Sequence, residues 1–218
     1  MEGYKITNDQ VETVLDKKFI RVFDLQYAEG RHYFDATRRD KDSIVASMDE
    51  EAFKKMLPDA VSCIVIVEEE GKEPRLLLSY EYRYPAGRFL LSVPAGLIDP
   101  EDKDKENPQI ETAIREIQEE TGIVVDTAVD QVSVVSPLLF STPGMTDESN
   151  GLVLVILRQK NLNLDQTGCN GPECFDGFEF VTKEEARKIL KDSVDPKGHY
   201  YSIYTWAALM YFVNDMWK

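Results

Sequence analysis

The sequence predicts an α/β fold, a sandwich built on a mixed β-sheet with a β-hairpin extension at its N-terminus. Three observations carry this expectation. Val61 to Val67 is a nearly continuous apolar run, the pattern of a strand covered on both faces. Ile110, Ala113, Ile114 and Ile117 recur at helical spacing before a glycine at 122, giving one amphipathic helix with a defined stop. Strand-like and helix-like stretches then follow one another without regular alternation and without an internal repeat, which suits a mixed sheet with helices packed on it.

In chain order, Lys18 to Tyr27 alternates apolar and polar residues as a strand does, Glu29-Gly30 is a turn, and Arg31 to Arg38 is a second strand. These form the hairpin of an N-terminal extension over residues 1–45, ahead of a main domain over 46–218. Asp40 to Asp42 reads as loop, and Asp49 to Leu57 as a short helix ending before Pro58. The run Val61 to Val67 turns at Gly71 into a strand over Arg75 to Tyr82, and Phe89 to Val93 leads into a Pro94-Ala95-Gly96 loop. Pro100 to Asn107 is charged and reads as a flexible spacer. Asn107-Pro108 then reads as an N-cap followed by proline at the first helical position. Ile123 to Val135 and Leu152 to Leu157 read as core strands, Asp165 to Asp176 as a loop, and Phe178 to Val181 as a short strand. Thr182 with Glu185 forms a capping box for a helix through Leu190, and Tyr200 to Trp217 reads as a closing helix.

Bulk properties exclude several classes. The net charge of −15 offers no means of neutralising a polyphosphate backbone or an anionic membrane surface, so nucleic acid and membrane are not expected partners. A small anionic nucleotide remains compatible, provided that a metal and local arginines offset the repulsion. The chain has no uninterrupted apolar run of about 20 residues, and its N-terminus lacks a signal pattern. Three cysteines, Cys63, Cys169 and Cys174, lack metal-ligand spacing and suit idle thiols in a reducing cytoplasm.

The chemistry concentrates in Arg115-Glu116-Ile117-Gln118-Glu119-Glu120-Thr121-Gly122-Ile123. Residues three and four apart share a helix face, so Glu116 lies beside Glu119 and Glu120, and Arg115 beside Glu119. Two like charges about 4 Å apart repel by roughly 4 kcal/mol at an effective dielectric of about 20. A divalent cation relieves that repulsion, and hard oxygen ligands suit Mg²⁺ or Mn²⁺. Taken alone, the three carboxylates fit a solvated acidic face equally well.

With the preceding Pro94-Ala95-Gly96-Leu97-Ile98-Asp99, this stretch resembles the Nudix box, the metal-binding loop-helix-loop of the Nudix hydrolases. The resemblance implies a Nudix-like α/β/α sandwich and an Mg²⁺-dependent (or Mn²⁺-dependent) hydrolase. Such an enzyme cleaves the pyrophosphate of a nucleoside diphosphate linked to another group. It assigns Glu116 and Glu120 as principal metal ligands, Glu119 as a third ligand or a catalytic carboxylate, and Ala95 as a backbone-carbonyl ligand. Arg115 orients the cluster, and Gly96 permits the tight turn beside it. The box departs from the family upstream: Asn107 stands where the family usually has Glu, and Gly96 to Asn107 is five residues longer than usual. Glu106 or Glu111 could substitute, or that carboxylate could be dispensable.

Three weaker segments resemble the ADP-ribose pyrophosphatase subfamily. Glu81-Tyr82-Arg83 resembles a segment whose arginine binds substrate phosphate. Ser141 to Glu148 resembles a Ser-Pro-Gly-x-x-x-Glu segment, which points to Glu148 as a substrate-binding residue. Glu173, between Pro172 and Cys174, lies in the late loop that carries the subfamily's general base, one residue out of register with it. The subfamily also uses an N-terminal extension in homodimers and stacks the base on aromatics, for which Tyr27, Tyr33 and Phe34 are candidates, though these fit a core role equally. The leading expectation is therefore a cytoplasmic, homodimeric hydrolase of ADP-ribose or a similar nucleoside diphosphate sugar. Two other readings share the same box: a hydrolase of nucleoside triphosphates or dinucleotide polyphosphates, and a non-catalytic module that senses ADP-ribose.

Overall fold

The structure, a computed structural model, describes residues 4–158, 162, 164–165 and 174–218. The chain divides into two compact units, Met1–Asp59 with Leu138–Asn150, and Ala60–Pro137 with Gly151–Lys218.

The first unit holds a three-stranded antiparallel sheet of β1 (Val11–Lys17), β2 (Ile20–Ala28) and β3 (Arg31–Thr37), in the order β1-β2-β3. The expected hairpin is β2 and β3, turned at Gly30 with φ 65°. The sequence reading missed β1 because six of its seven residues are exposed, which leaves little apolar periodicity to detect. Ile6, Val11, Phe23, Leu25 and Ile44 form a small core, with Tyr27 packed against it. Helix α1 (Glu50–Lys55) is capped by Asp49, whose Oδ1 accepts from the Ala52 amide at 2.8 Å.

The second unit carries a mixed seven-stranded sheet. Its strands are β4 (Ala60–Val67), β5 (Arg75–Arg83), β6 (Arg88–Ser92), β7 (Ala95–Leu97), β8 (Gln131–Phe140), β9 (Ser149–Leu157) and β10 (Phe175–Val181). The order is β10-β5-β4-β9-β8, with β6 on β5 and β7 on β4, and the unit boundary falls within β8 and β9. Alternation along β4 explains the layering. Ile64 and Ile66 join one core with Ala186 and Ile189 of α4 (Lys183–Asp192) and Ala208, Leu209 and Phe212 of α5 (Ile203–Val213). Val61, Cys63, Val65 and Val67 join the opposite core with Ala113 and Ile117 of α3 (Pro108–Thr121). Both faces of β4 are therefore covered, as its unbroken apolar run requires.

Four local expectations are corrected. The Pro94-Ala95-Gly96 loop continues into a strand, β7, because β5 pairs with β4 only at Ile66 and Val67 and leaves the start of β4 open. There Val61 pairs with Gly96, and the Cys63 amide donates to the Pro94 carbonyl at 2.8 Å. The supposedly flexible Pro100 to Asn107 contains a helix, α2 (Pro100–Lys103), with Asp99 at its N-cap position and proline in its first turn. The strand expected from Ile123 starts only at Gln131. Residues 126–130 form a turn in which Asp130 Oδ2 accepts from the Asp126 amide at 2.9 Å. The closing helix is likewise shorter than expected. It starts after Ser202, whose hydroxyl accepts from the Thr205 amide, and ends at Val213.

Candidate active site

Helix α3 supplies the acidic face. Asn107 holds its N-cap position without a side-chain cap hydrogen bond; its carbonyl accepts from the Ile110 and Glu111 amides instead. Gly122 ends the helix at φ 73°, where its amide donates to the Gln118 carbonyl. Ile117 and Ala113 are fully buried against the sheet. That contact fixes the helix rotation and aims Glu116 and Glu120, one turn apart, at the edge of β7.

The Ala95-Gly96 strand meets those two carboxylates. The Ala95 amide donates to Glu120 Oε1 at 3.3 Å. A Cβ placed on Gly96 would lie 1.9 Å from Glu116 Cδ, so the carboxylate fills the space that any side chain at 96 would need. Glu116 is 7% exposed and Glu120 4%, whereas Glu119 is only part-buried. The structure therefore brings together Ala95, Gly96, Arg115, Glu116, Glu119 and Glu120. Their negative field reaches the sheet below. Burial pushes the Cys63 thiol well above its ordinary pKa, and the Glu120 and Glu116 charges push it further.

Arg115 supplies counter-charge among the described residues. Its Nη1 donates to Glu116 Oε1 at 2.8 Å and to Glu119 Oε2 at 3.4 Å, and its Nη2 donates to the Leu97 carbonyl at 3.0 Å. The other edge of the guanidinium faces α2, where Nε and Nη2 each donate to Asp102 Oδ2 at 3.2 Å. Asp99 adds an ion pair at 3.4 Å. Glu106 and Glu111, the anticipated substitutes at the start of the helix, are both exposed and are not among these partners. Sequence reasoning missed Asp102. The available signal was Asp99-Pro100, a cap-and-proline pair that announces a helix and so an ordered carboxylate two residues on.

Among the described residues, no three His, Cys, Asp or Glu side chains form a preformed cation cage; Arg115 stands between Glu116 and Glu119. The donor chemistry nonetheless suits a hard divalent ion. It offers carboxylate oxygens from adjacent helix turns and, alongside them, a backbone strand without a side chain at 96.

Arg83 closes β5, and its Nη2 pairs with Glu81 Oε2 at 2.7 Å. Its cross-strand partner on β6 is Arg88, which the sequence reading did not single out. Like charges directly opposite on one face are unfavourable, and Glu81 beside Arg83 offsets part of that repulsion. Glu148 belongs to the first unit, where Arg38 Nε donates to its Oε1 at 3.1 Å. Glu173 lies outside the described residues. Tyr33 and Phe34 are exposed and line a cavity of about 320 Å³ in the first unit, together with Phe53, Met145, Asp35 and Asp147. Tyr27 is instead packed against the small core.

Comparisons with known proteins follow the same lines. A family model described as NUDIX domain matches residues 56–202. The chain is 41% identical over 97 residues to a Caenorhabditis elegans protein bearing a nudix hydrolase name, covering 44% of this chain and 39% of that protein. It is 33% identical over 99 residues to the ADP-ribose pyrophosphatase of Saccharomyces cerevisiae, covering 44% and 38%. The aligned stretch thus spans less than two fifths of each of these curated relatives. The crystal structure of an ADP compounds hydrolase superposes with a TM-score of 0.57 at 18% identity, covering 95% of this chain and 90% of that one. At that identity the likeness speaks to the fold.

Proposed function

Because the chain belongs to the NUDIX family, we propose that it is an Mg²⁺-dependent pyrophosphatase acting on ADP-ribose or a similar nucleoside diphosphate sugar. Water forms a bond to one phosphorus, the bridging P–O bond breaks, and a nucleoside monophosphate and a sugar phosphate leave. The observation that carries this reading is the approach of Ala95-Gly96 to the paired carboxylates Glu116 and Glu120. Glu116, Glu120, Glu119 and the Ala95 carbonyl would hold the ion, which supplies charge neutralisation for the pyrophosphate oxygens.

The protein's own groups do the rest. Arg115 pairs with Glu116 and Glu119 and orients them. Arg83, with Arg88 opposite it, receives phosphate oxygens through its planar fork. Glu173 takes the proton from the attacking water, and Glu148 contacts polar groups of the substrate. The substrate class is supported by the yeast ADP-ribose pyrophosphatase among the relatives.

The same reading extends to a cytoplasmic homodimer formed through the 1–45 extension, ahead of a catalytic domain over 46–218. The exposed apolar residues Val14, Leu15, Phe19 and Ile20 of that extension support it, as do the free thiols Cys63 and Cys174.

The test is turnover. The protein is incubated with ADP-ribose, nucleotide sugars, nucleoside triphosphates and dinucleotide polyphosphates, with and without Mg²⁺, and products are separated by ion-exchange chromatography. AMP and ribose phosphate formed from ADP-ribose only with Mg²⁺, and lost in Glu120→Gln, are expected. Turnover surviving Glu120→Gln would overturn the metal assignment. Binding of ADP-ribose without any turnover would identify a sensor instead.

A further inference from the structure

We propose that Asp102, on the short helix α2, is a positioning residue that sets the cation affinity of the Glu116–Glu119–Glu120 face through Arg115. The inference rests on the reading of that face as a cation site. Asp102 is 2% exposed, although it lies in a segment that is otherwise charged and mostly exposed. Burying a carboxylate so completely is costly unless it is fully engaged. It is engaged three ways: Lys105 Nζ donates to Oδ1 at 2.8 Å, Thr112 Oγ1 donates to Oδ2 at 3.1 Å, and Arg115 donates to Oδ2 from both Nε and Nη2. The guanidinium is thereby held by one edge, while its Nη1 alone reaches Glu116 and Glu119.

The consequence is electrostatic. Arg115 is a cation in contact with two of the carboxylates that would hold a metal, so it competes with that metal for their oxygens. Asp102 offsets the arginine's charge and restrains it from swinging fully onto Glu116 and Glu119. Without that anchor the arginine turns its whole fork towards the acidic face, and a divalent ion must displace a bidentate ion pair. Partners just outside a metal's ligand set commonly alter affinity by about 10–100-fold.

The test is Mn²⁺ titration of the 218-residue chain followed by electron paramagnetic resonance, which counts free Mn²⁺ without requiring turnover. Asp102→Asn is expected to weaken Mn²⁺ binding by about 10-fold. Lys105→Gln also removes one of the Asp102 contacts of α2 but leaves Asp102 on Arg115, so it is expected to stay within about twofold of wild type. In an Arg115→Gln background, Asp102→Asn is expected to change affinity by less than about twofold, because the relay is gone. Asp102→Asn binding like wild type would overturn the inference alone. Equal losses in Asp102→Asn and Lys105→Gln would overturn it too, by reducing Asp102 to a clamp for α2. Wild-type protein that binds no Mn²⁺ would overturn the cation site and this inference with it. Should Asp102→Asn not fold, the double variant Lys105→Gln/Thr112→Val decides. It leaves Arg115 as the partner of Asp102, and affinity near wild type is expected, whereas a 10-fold loss would overturn the inference.

Discussion

Position 96 shows how one missing side chain decides the geometry of the acidic face. The Glu116 side-chain carboxylate occupies the volume that a methyl group there would need, and Arg115 already holds that carboxylate. Gly96→Ala is therefore expected to expel Glu116 from its place and to abolish Mn²⁺ binding. Retained binding with an unchanged melting temperature would show that strand β7 yields instead. A second residue-scale prediction concerns the first unit. Burial, aided by the Asp147 charge, raises Asp35 to about 6 from an ordinary value of 3.8. Between those values the native protein binds more protons than the unfolded chain, so this group lowers stability as pH rises through the window, and the full penalty persists unchanged above it. Asp35→Asn removes the charge and keeps an acceptor for the Asp147 amide. It should raise the melting temperature more at pH 7.5 than at pH 5; equal gains at both would sink the assignment.

Among the elements, legibility followed burial and local chemistry. Helix α4 was readable to its first residue because Thr182 and Glu185 satisfy each other's backbone amides, a purely local arrangement. Thr182→Ala should cost about 1 kcal/mol, measured by denaturant unfolding. Strand β4 was readable because both its faces are buried, and α3 because its apolar stripe and glycine stop agree. Strand β7 was not, since its three residues pair only because a neighbouring strand stops short, a fact of tertiary arrangement. Helix α2 hid behind its charge. In the candidate site the same division holds. The helix spacing alone aligned Arg115, Glu116, Glu119 and Glu120; Asp99-Pro100 announced a helix that would order Asp102, but its pairing with the far edge of Arg115 exists only in the tertiary arrangement. Arg88 escaped notice because its relation to Arg83 exists only across the hairpin.

For the whole molecule, electrostatics is the governing constraint. Forty acidic against 25 basic side chains leave −15, and such an excess strains the folded chain by self-repulsion. Raising NaCl from about 0.02 to about 0.2 M shortens the Debye length severalfold and should raise the melting temperature; a fall would show that specific ion pairs outweigh the bulk charge. Within this field, Cys63 occupies an unusual vantage. It is fully buried on β4, its Sγ donates to the Ala113 carbonyl at 4.0 Å, and it lies under the charges of Glu116 and Glu120. Its S–H bond is therefore a native vibrational probe. Neutralising the acidic face should displace the S–H stretching band in the infrared spectrum, so a chain with no added label can report on its own site spectroscopically.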